Sequence, residues 1–143
     1  MRKHIAIVTP RFSDKLVGGA EILALNFAKI LSKQFDVTVL TTTAMDYITW
    51  KNELPKGEFQ WDSITIKRFQ VDKNRNIHRF NRLSKHVYKN HQNLSDWELE
   101  NWVLEQGPVT SQIVEYIQKN IDTYDLFFYQ LFVLYHRFCP SSC

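Results

Sequence analysis

The chain is nearly devoid of cysteine. Only Cys139 and Cys143 occur, both within the last five residues. A bond between them would close a loop too short to stabilise much. With the nearby His136 they still fall one ligand short of a four-coordinate zinc set. They read as incidental, and no metal is expected. Long apolar runs are missing near the amino end, where the longest, Ile5 to Val8, is too short for a signal-peptide core or a membrane span. A cytoplasmic location is therefore expected. Neither sign of charge dominates: 18 Lys plus Arg stand against 15 Asp plus Glu, a net charge of +3. That is too mild to argue for nucleic acid. Internal repeats and low-complexity tracts are also missing. So are the Gly-x-Gly-x-x-Gly fingerprint and the P-loop lysine signature, which disfavours nicotinamide and ATP chemistry.

What is present is a foldable core. The chain is 143 residues long, 44% hydrophobic and 14% aromatic, enough for one folded domain and unlike a disordered tail. Residues 4–9 are short, β-branched and almost wholly apolar, as in a strand buried on both faces of a parallel sheet. Residues 19–34 carry an apolar stripe at Ala20, Leu23, Ala24, Phe27, Ala28, Ile30 and Leu31, with Asn26, Lys29 and Lys33 opposite, and predict an amphipathic helix. Residues 36–42 predict a second strand and complete a βαβ unit. Residues 43–61 read as a loop punctuated by Pro55 and Gly57. Residues 64–69 alternate and predict a strand; a helix is expected over 79–90. Ser95-Asp96-Trp97-Glu98 is a capping box that starts another helix, with Leu99, Trp102 and Val103 on its apolar face. Gly107-Pro108 is expected to end that helix and open the next, whose buried stripe would be Ile113, Val114, Ile117 and Ile121. Residues 126–130 predict a last strand. The expectation is an α/β protein with an open, mainly parallel sheet and flanking helices.

The chemistry centres on Gly18-Gly19-Ala20-Glu21, between the first strand and the first helix. Paired glycines let backbone approach a ligand closely. The first amides of a helix lack internal partners, and the helix dipole favours negative charge there. Such a junction commonly binds phosphate; a tight turn without a ligand is the plainer alternative. Glu21, in the first helical turn, reads as a complement to the dipole.

Taken in order, several segments resemble the N-terminal domain of family-4 glycosyltransferases, which have the two-domain, Rossmann-like GT-B architecture. They are Ile5-Ala6-Ile7-Val8-Thr9-Pro10, Gly18-Gly19-Ala20-Glu21, residues 31–41, Leu54-Pro55-Lys56-Gly57, residues 64–69, Phe80-Asn81-Arg82-Leu83-Ser84, Gln106-Gly107-Pro108 and Tyr124-Asp125-Leu126-Phe127-Phe128. The resemblance spans residues 4 to about 130. It implies transfer of a sugar from a nucleotide-sugar donor to an acceptor hydroxyl, in polysaccharide or glycolipid synthesis, in a cleft between two domains and without a metal. The C-terminal domain, which carries most donor contacts, would lie beyond this chain, so the chain alone is expected to be inactive. Residues 131–143 depart from the family's usual continuation and read as a divergent tail on a domain covering 1–130. Catalytic residues cannot be assigned by the resemblance. A Rossmann-like module that binds a phosphorylated ligand or a partner chain without catalysis is the alternative.

On this reading Gly18, Gly19 and Arg11 face the donor diphosphate. Lys15, Asp46, Tyr47 and Gln130 are acceptor-side candidates, because ligands in open α/β sheets bind outside the carboxyl ends of the strands. Trp50, Trp61, Trp97 and Trp102 could stack on sugar rings, with packing the commoner duty. Residues 67–91 hold Lys67, Arg68, Lys73, Arg75, Arg79, Arg82, Lys85 and Lys89 against the single acid Asp72. This stretch could meet anionic lipid at the inner face of the membrane, a phosphorylated lipid-linked acceptor, or the acidic helix at Asp96–Glu105; solvated surface is the usual fate of such charge.

Overall fold

A computed structural model describes residues 1–130. The expectations for Gln130's successors, including Cys139, Cys143, His136 and the divergent tail, lie outside the described residues. The elements run β1 (His4–Val8), α1 (Gly19–Leu31), β2 (Asp36–Thr42), β3 (Gly57–Trp61), β4 (Ile64–Phe69), α2 (Ile77–Lys89), α3 (Asp96–Gln106), α4 (Ser111–Lys119), a 3-10 turn (Ile121–Thr123) and β5 (Leu126–Tyr129).

The five strands form one sheet in the order β3-β4-β2-β1-β5. Strands β4, β2, β1 and β5 are parallel, and β3 runs antiparallel to β4 at one edge. The sheet is thus mixed, with helices on both faces. Alternate residues of β1 explain why. Ile7 joins Val37, Val39, Ile64 and Ile66 in a core closed by Ala24 and Ala28 of α1. Ala6 and Val8 join Leu40 under Ile113 and Ile117 of α4. Both faces of β1 and β2 are therefore covered; β1 is apolar from Ile5 to Val8, while β2 interleaves Val37, Val39 and Leu40 with the buried Thr38, Thr41 and Thr42.

Strand β3 corrects the expectation of a loop over 43–61. Its Phe59 and Trp61 pack against the α1-side core, while Glu58 and Gln60 are exposed. That alternation was readable, but Gly57 and Pro55 masked it. The tight link to β4 puts Asp62 at a positive φ of 51°. The α1 stripe also differs in detail: Leu23 and Ile30 are about two-thirds exposed. Leu23 borders the open side of β5, where no further strand covers it among the described residues. Pro108 does not open α4. That helix begins at Ser111, whose backbone N–H and hydroxyl both bond to the Asp72 carboxylate (3.0 and 3.1 Å). Its stripe is Ile113 and Ile117, and Ile121 is exposed in the following turn.

Helices α2 and α3 pack on each other beyond the carboxyl end of β4. The capping box at Ser95 is formed in full. Trp50 ties this pair to the sheet through its indole N–H, which donates to the Gln106 carbonyl (2.9 Å). The Arg75 guanidinium lies over both Trp50 and Phe80 (5.2 and 5.0 Å).

Candidate functional site

The loops that leave the carboxyl ends of β1 and β2 meet Gln130, the residue after β5, at the start of α1. The loop after β1 carries Arg11, Lys15 and the glycines. Thr42 at the end of β2 donates its hydroxyl to the Pro10 carbonyl (2.7 Å), which holds the first two loops together. Arg11 is the hub. One guanidinium nitrogen donates to the Met45 carbonyl at 2.8 Å, and another forms an ion pair with Glu21. The guanidinium also stands 5.2 Å from the centre of the Tyr47 ring. The Arg11 and Glu21 side chains are only 14% and 11% exposed, so their charges are largely withdrawn from water and depend on each other. Gln130, just after β5, donates its side-chain N–H to the Ala20 carbonyl (2.7 Å) and its backbone N–H to Val8 (2.9 Å). Arg11 and Gly18 of the first loop, Glu21 of α1, Tyr47 of the loop after β2 and Gln130 after β5 are thereby gathered at one place.

The glycines work differently from the sequence argument. Gly18 precedes α1 in extended backbone, φ −146° and ψ 150°, which any residue can adopt. Its requirement is space: a Cβ there would overlap the Glu21 carboxylate oxygen. Gly19 has open space where its Cβ would be. Glu21 therefore folds back over the helix start. It places a negative group near the amino end of α1, where no side chain caps the helix by hydrogen bonding. The expected dipole complement takes this form, and it fills room beside Gly18.

Other candidates stand apart. Lys15 is exposed on the loop and forms no ion pair among the described residues. Asp46 organises its own turn: its carboxylate accepts from Ile48 N–H (2.9 Å), Thr49 N–H (3.1 Å) and the Thr49 hydroxyl (2.6 Å). The Thr49 hydroxyl foremost, and then those amides, hold the Asp46 carboxyl below its ordinary range. Trp50 is buried. Trp61 meets Phe12 edge-on, and Trp102 donates to the Ser84 hydroxyl (2.9 Å). Trp97 alone of the four is strongly exposed.

Several cavities flank the sheet, one of about 200 Å³ lying between Phe12 to Asp14 and strands β3 and β4. An apolar one of about 230 Å³ adjoins the junction, between Leu23 and Phe27 of α1 and Phe128 to Gln130. A polar one of about 390 Å³ lies at the opposite, amino ends of the strands, around His4, Thr38, Lys67, Tyr116 and Tyr124. Its polar groups bond to one another: His4 to Thr38 at 2.8 Å and Tyr116 to Tyr124 at 2.7 Å. Burial, and then the Tyr116 hydroxyl, push the Tyr124 phenol well above its ordinary range. The polar cavity is larger, but it lies away from the convergence of loops at the carboxyl ends.

The basic stretch is partly neutralised inside the fold. Lys67 pairs with Glu58 of β3. Lys73 and Arg79 both reach the buried Glu105 of α3 (2.9 and 3.3 Å), and His86 reaches Glu98 (2.9 Å). The acidic helix is a partner of this stretch, one of the alternatives left open by the sequence.

Among the described residues, no group of three or more His, Cys, Asp or Glu could hold a metal ion. No helix there is long and apolar enough to cross a membrane. Comparison with protein-family models, with curated proteins and with solved structures finds no match for the chain.

Proposed function

We propose that the chain forms the N-terminal, acceptor-side domain of a family-4 GT-B glycosyltransferase, which moves a sugar from a nucleotide-sugar donor to an acceptor hydroxyl. The observation that carries this reading is the meeting of Arg11, Gly18, Tyr47 and Gln130 at the carboxyl ends of parallel strands, around the start of α1. The parallel order β4-β2-β1-β5 accords with a Rossmann-like half, and open α/β sheets bind ligands at this end.

In this reading the Glu21 carboxylate stands where a phosphate oxygen of the donor would approach. Rotation of Glu21 about its side-chain bonds opens Gly18. Arg11, already anchored by the Met45 carbonyl, then exchanges a carboxylate for a phosphate. Fixed amides and a guanidinium facing the departing nucleotide would stabilise the charge that develops as the glycosidic bond breaks. Tyr47 and Gln130 border the acceptor side. The second domain of such an enzyme supplies the other wall and most donor contacts.

The test is an NMR titration of the chain with a nucleoside diphosphate. The amides of Gly18, Gly19 and Ala20 and the Arg11 side chain are expected to shift together at millimolar ligand. Shifts confined to the polar cavity around Tyr116 and Tyr124, or no shifts, would reject the assignment of this junction. If the amides shift but a longer chain that includes the second domain transfers no sugar, the non-catalytic phosphate-binding module is the better reading.

A further inference from the structure

We propose that the cavity between the β1 loop and the β3–β4 hairpin binds a small monocarboxylate with an apolar body, held through the guanidinium of Arg68. Ile64, Ile66 and Arg68 alternate along β4 and so share one face of the sheet. The two isoleucines enter the core under α1. Arg68 ends the same row as a charge, paired in register with Gly57 of β3.

Arg2, Arg11 and Arg75 each donate to a backbone carbonyl at 2.7–2.8 Å. Arg68 is held otherwise. Its guanidinium stands 4.9 Å from the centre of the Phe59 ring and forms no ion pair among the described residues. Its Nε is buried and meets no acceptor there. A ring face attracts the charge but does not replace an acceptor for an enclosed N–H. Asp14 lines the same cavity, yet it is exposed and does not pair with Arg68. Burial, opposed only by the Asp14 charge, pushes the guanidinium below its ordinary range. This is a partly desolvated cation without a counter-ion in contact.

The space beside it selects the anion. The cavity holds about 200 Å³, and an apolar cavity of about 150 Å³ takes benzene. Phe12, Phe59, Trp61 and Ile66 give it apolar walls. The Gln60 side chain is turned away to the Thr65 hydroxyl (2.9 Å). A planar carboxylate matches the guanidinium fork with two parallel hydrogen bonds. A phosphate dianion would leave oxygens facing rings and would be repelled by Asp14. A neutral ligand would leave Arg68 as it is. Ser13 can add a hydroxyl, whose present acceptor, Asp14, is distant at 3.4 Å. The cavity is separate from the junction at Gly18: Arg11, Gly18, Tyr47 and Gln130 do not line it. The inference therefore holds whether or not the chain transfers sugar.

The experiment is an NMR titration of the full chain with benzoate, benzamide and inorganic phosphate at constant ionic strength. Benzoate at millimolar concentration is expected to shift the amides of Ser13, Phe59 and Trp61 and the Arg68 Nε–H signal. Benzamide and phosphate should bind at least about tenfold more weakly. Arg68→Gln should lose at least about tenfold in benzoate affinity, and so should Arg68→Lys, because an ammonium keeps the charge but lacks the fork. Neither variant should melt below the parent, since each removes an enclosed donor without an acceptor. Asp14→Asn, at an exposed position, should bind benzoate about threefold more tightly. Absence of these shifts, equal binding of benzamide, preference for phosphate, parent-like binding by either Arg68 variant, or weaker binding by Asp14→Asn would overturn the proposal. Shifts of the Gly18 to Ala20 amides by a nucleoside diphosphate should be unchanged by benzoate, so either site can fail without the other.

Discussion

Replacing Glu21 by alanine separates a structural plug from a displaceable stand-in for a ligand. The substitution leaves Arg11 with the Met45 carbonyl at 2.8 Å and the Tyr47 ring, but without a counter-charge. Removing one member of a buried pair costs about 3–5 kcal/mol. Here the side chains keep 14% and 11% exposure, so the low end applies, about 3 kcal/mol. For a domain of this size that corresponds to a fall in Tm of roughly 10 °C. Urea and thermal unfolding of the parent, Glu21→Ala, Arg11→Ala and the double variant form a cycle. A coupling energy of at least ~1 kcal/mol is expected. Glu21→Gln should fall between parent and alanine, because its amide oxygen still accepts from Arg11. The ligand response runs the other way. With Glu21 gone, Gly18 is open and Arg11 is unpaired, so a nucleoside diphosphate should stabilise Glu21→Ala more than it stabilises the parent. A coupling near zero would refute the energetic argument. Equal stabilisation of both proteins by the ligand would show that Glu21 does not cover the phosphate position.

Gly19→Ala tests the neighbouring glycine from the other side. Its Cβ would meet open space, so the fold should gain about 0.4–1 kcal/mol through the unfolded chain, while the added methyl weakens nucleoside diphosphate binding; loss of stability would contradict the open-space reading. The pH dependence of α3 is set by Glu98, whose carboxyl is held down to about 2 by the Ser95 backbone N–H, then by the His86 and Ser95 side chains. A carboxyl depressed in the folded state contributes fully above its unfolded value of 4.5 and loses that contribution as pH falls towards about 2. The stability gap between parent and Glu98→Gln, measured by urea unfolding at pH 6, 4 and 3, should therefore shrink on acidification, and a gap independent of pH would refute the assignment.

The elements that the sequence announced best were those whose signals are local. β2 and the start of α3 are clear from apolar pattern and capping chemistry, since Val37, Val39 and Leu40 need dry neighbours and Ser95 with Glu98 closes on itself. Strand β3 was hidden because its alternation acquires meaning only opposite β4. The start of α4 was missed because its cap, Asp72, is 39 residues away.

The candidate site divides in the same way. Its position was legible, because a strand, a glycine pair and a helix in succession dictate where free amides collect. Which side chains share that place was not. Arg11 and Gln130 were named from sequence as separate candidates, yet Arg11 is bound to Met45 and Glu21, and Gln130 to Ala20. Short-range backbone geometry and hydrophobic period are properties of neighbouring residues and were set by the chain itself. The pairing of charges, the room beside Gly18 and the cavity that leaves the Arg68 Nε without an acceptor depend on contacts between distant segments, so only tertiary packing decided them.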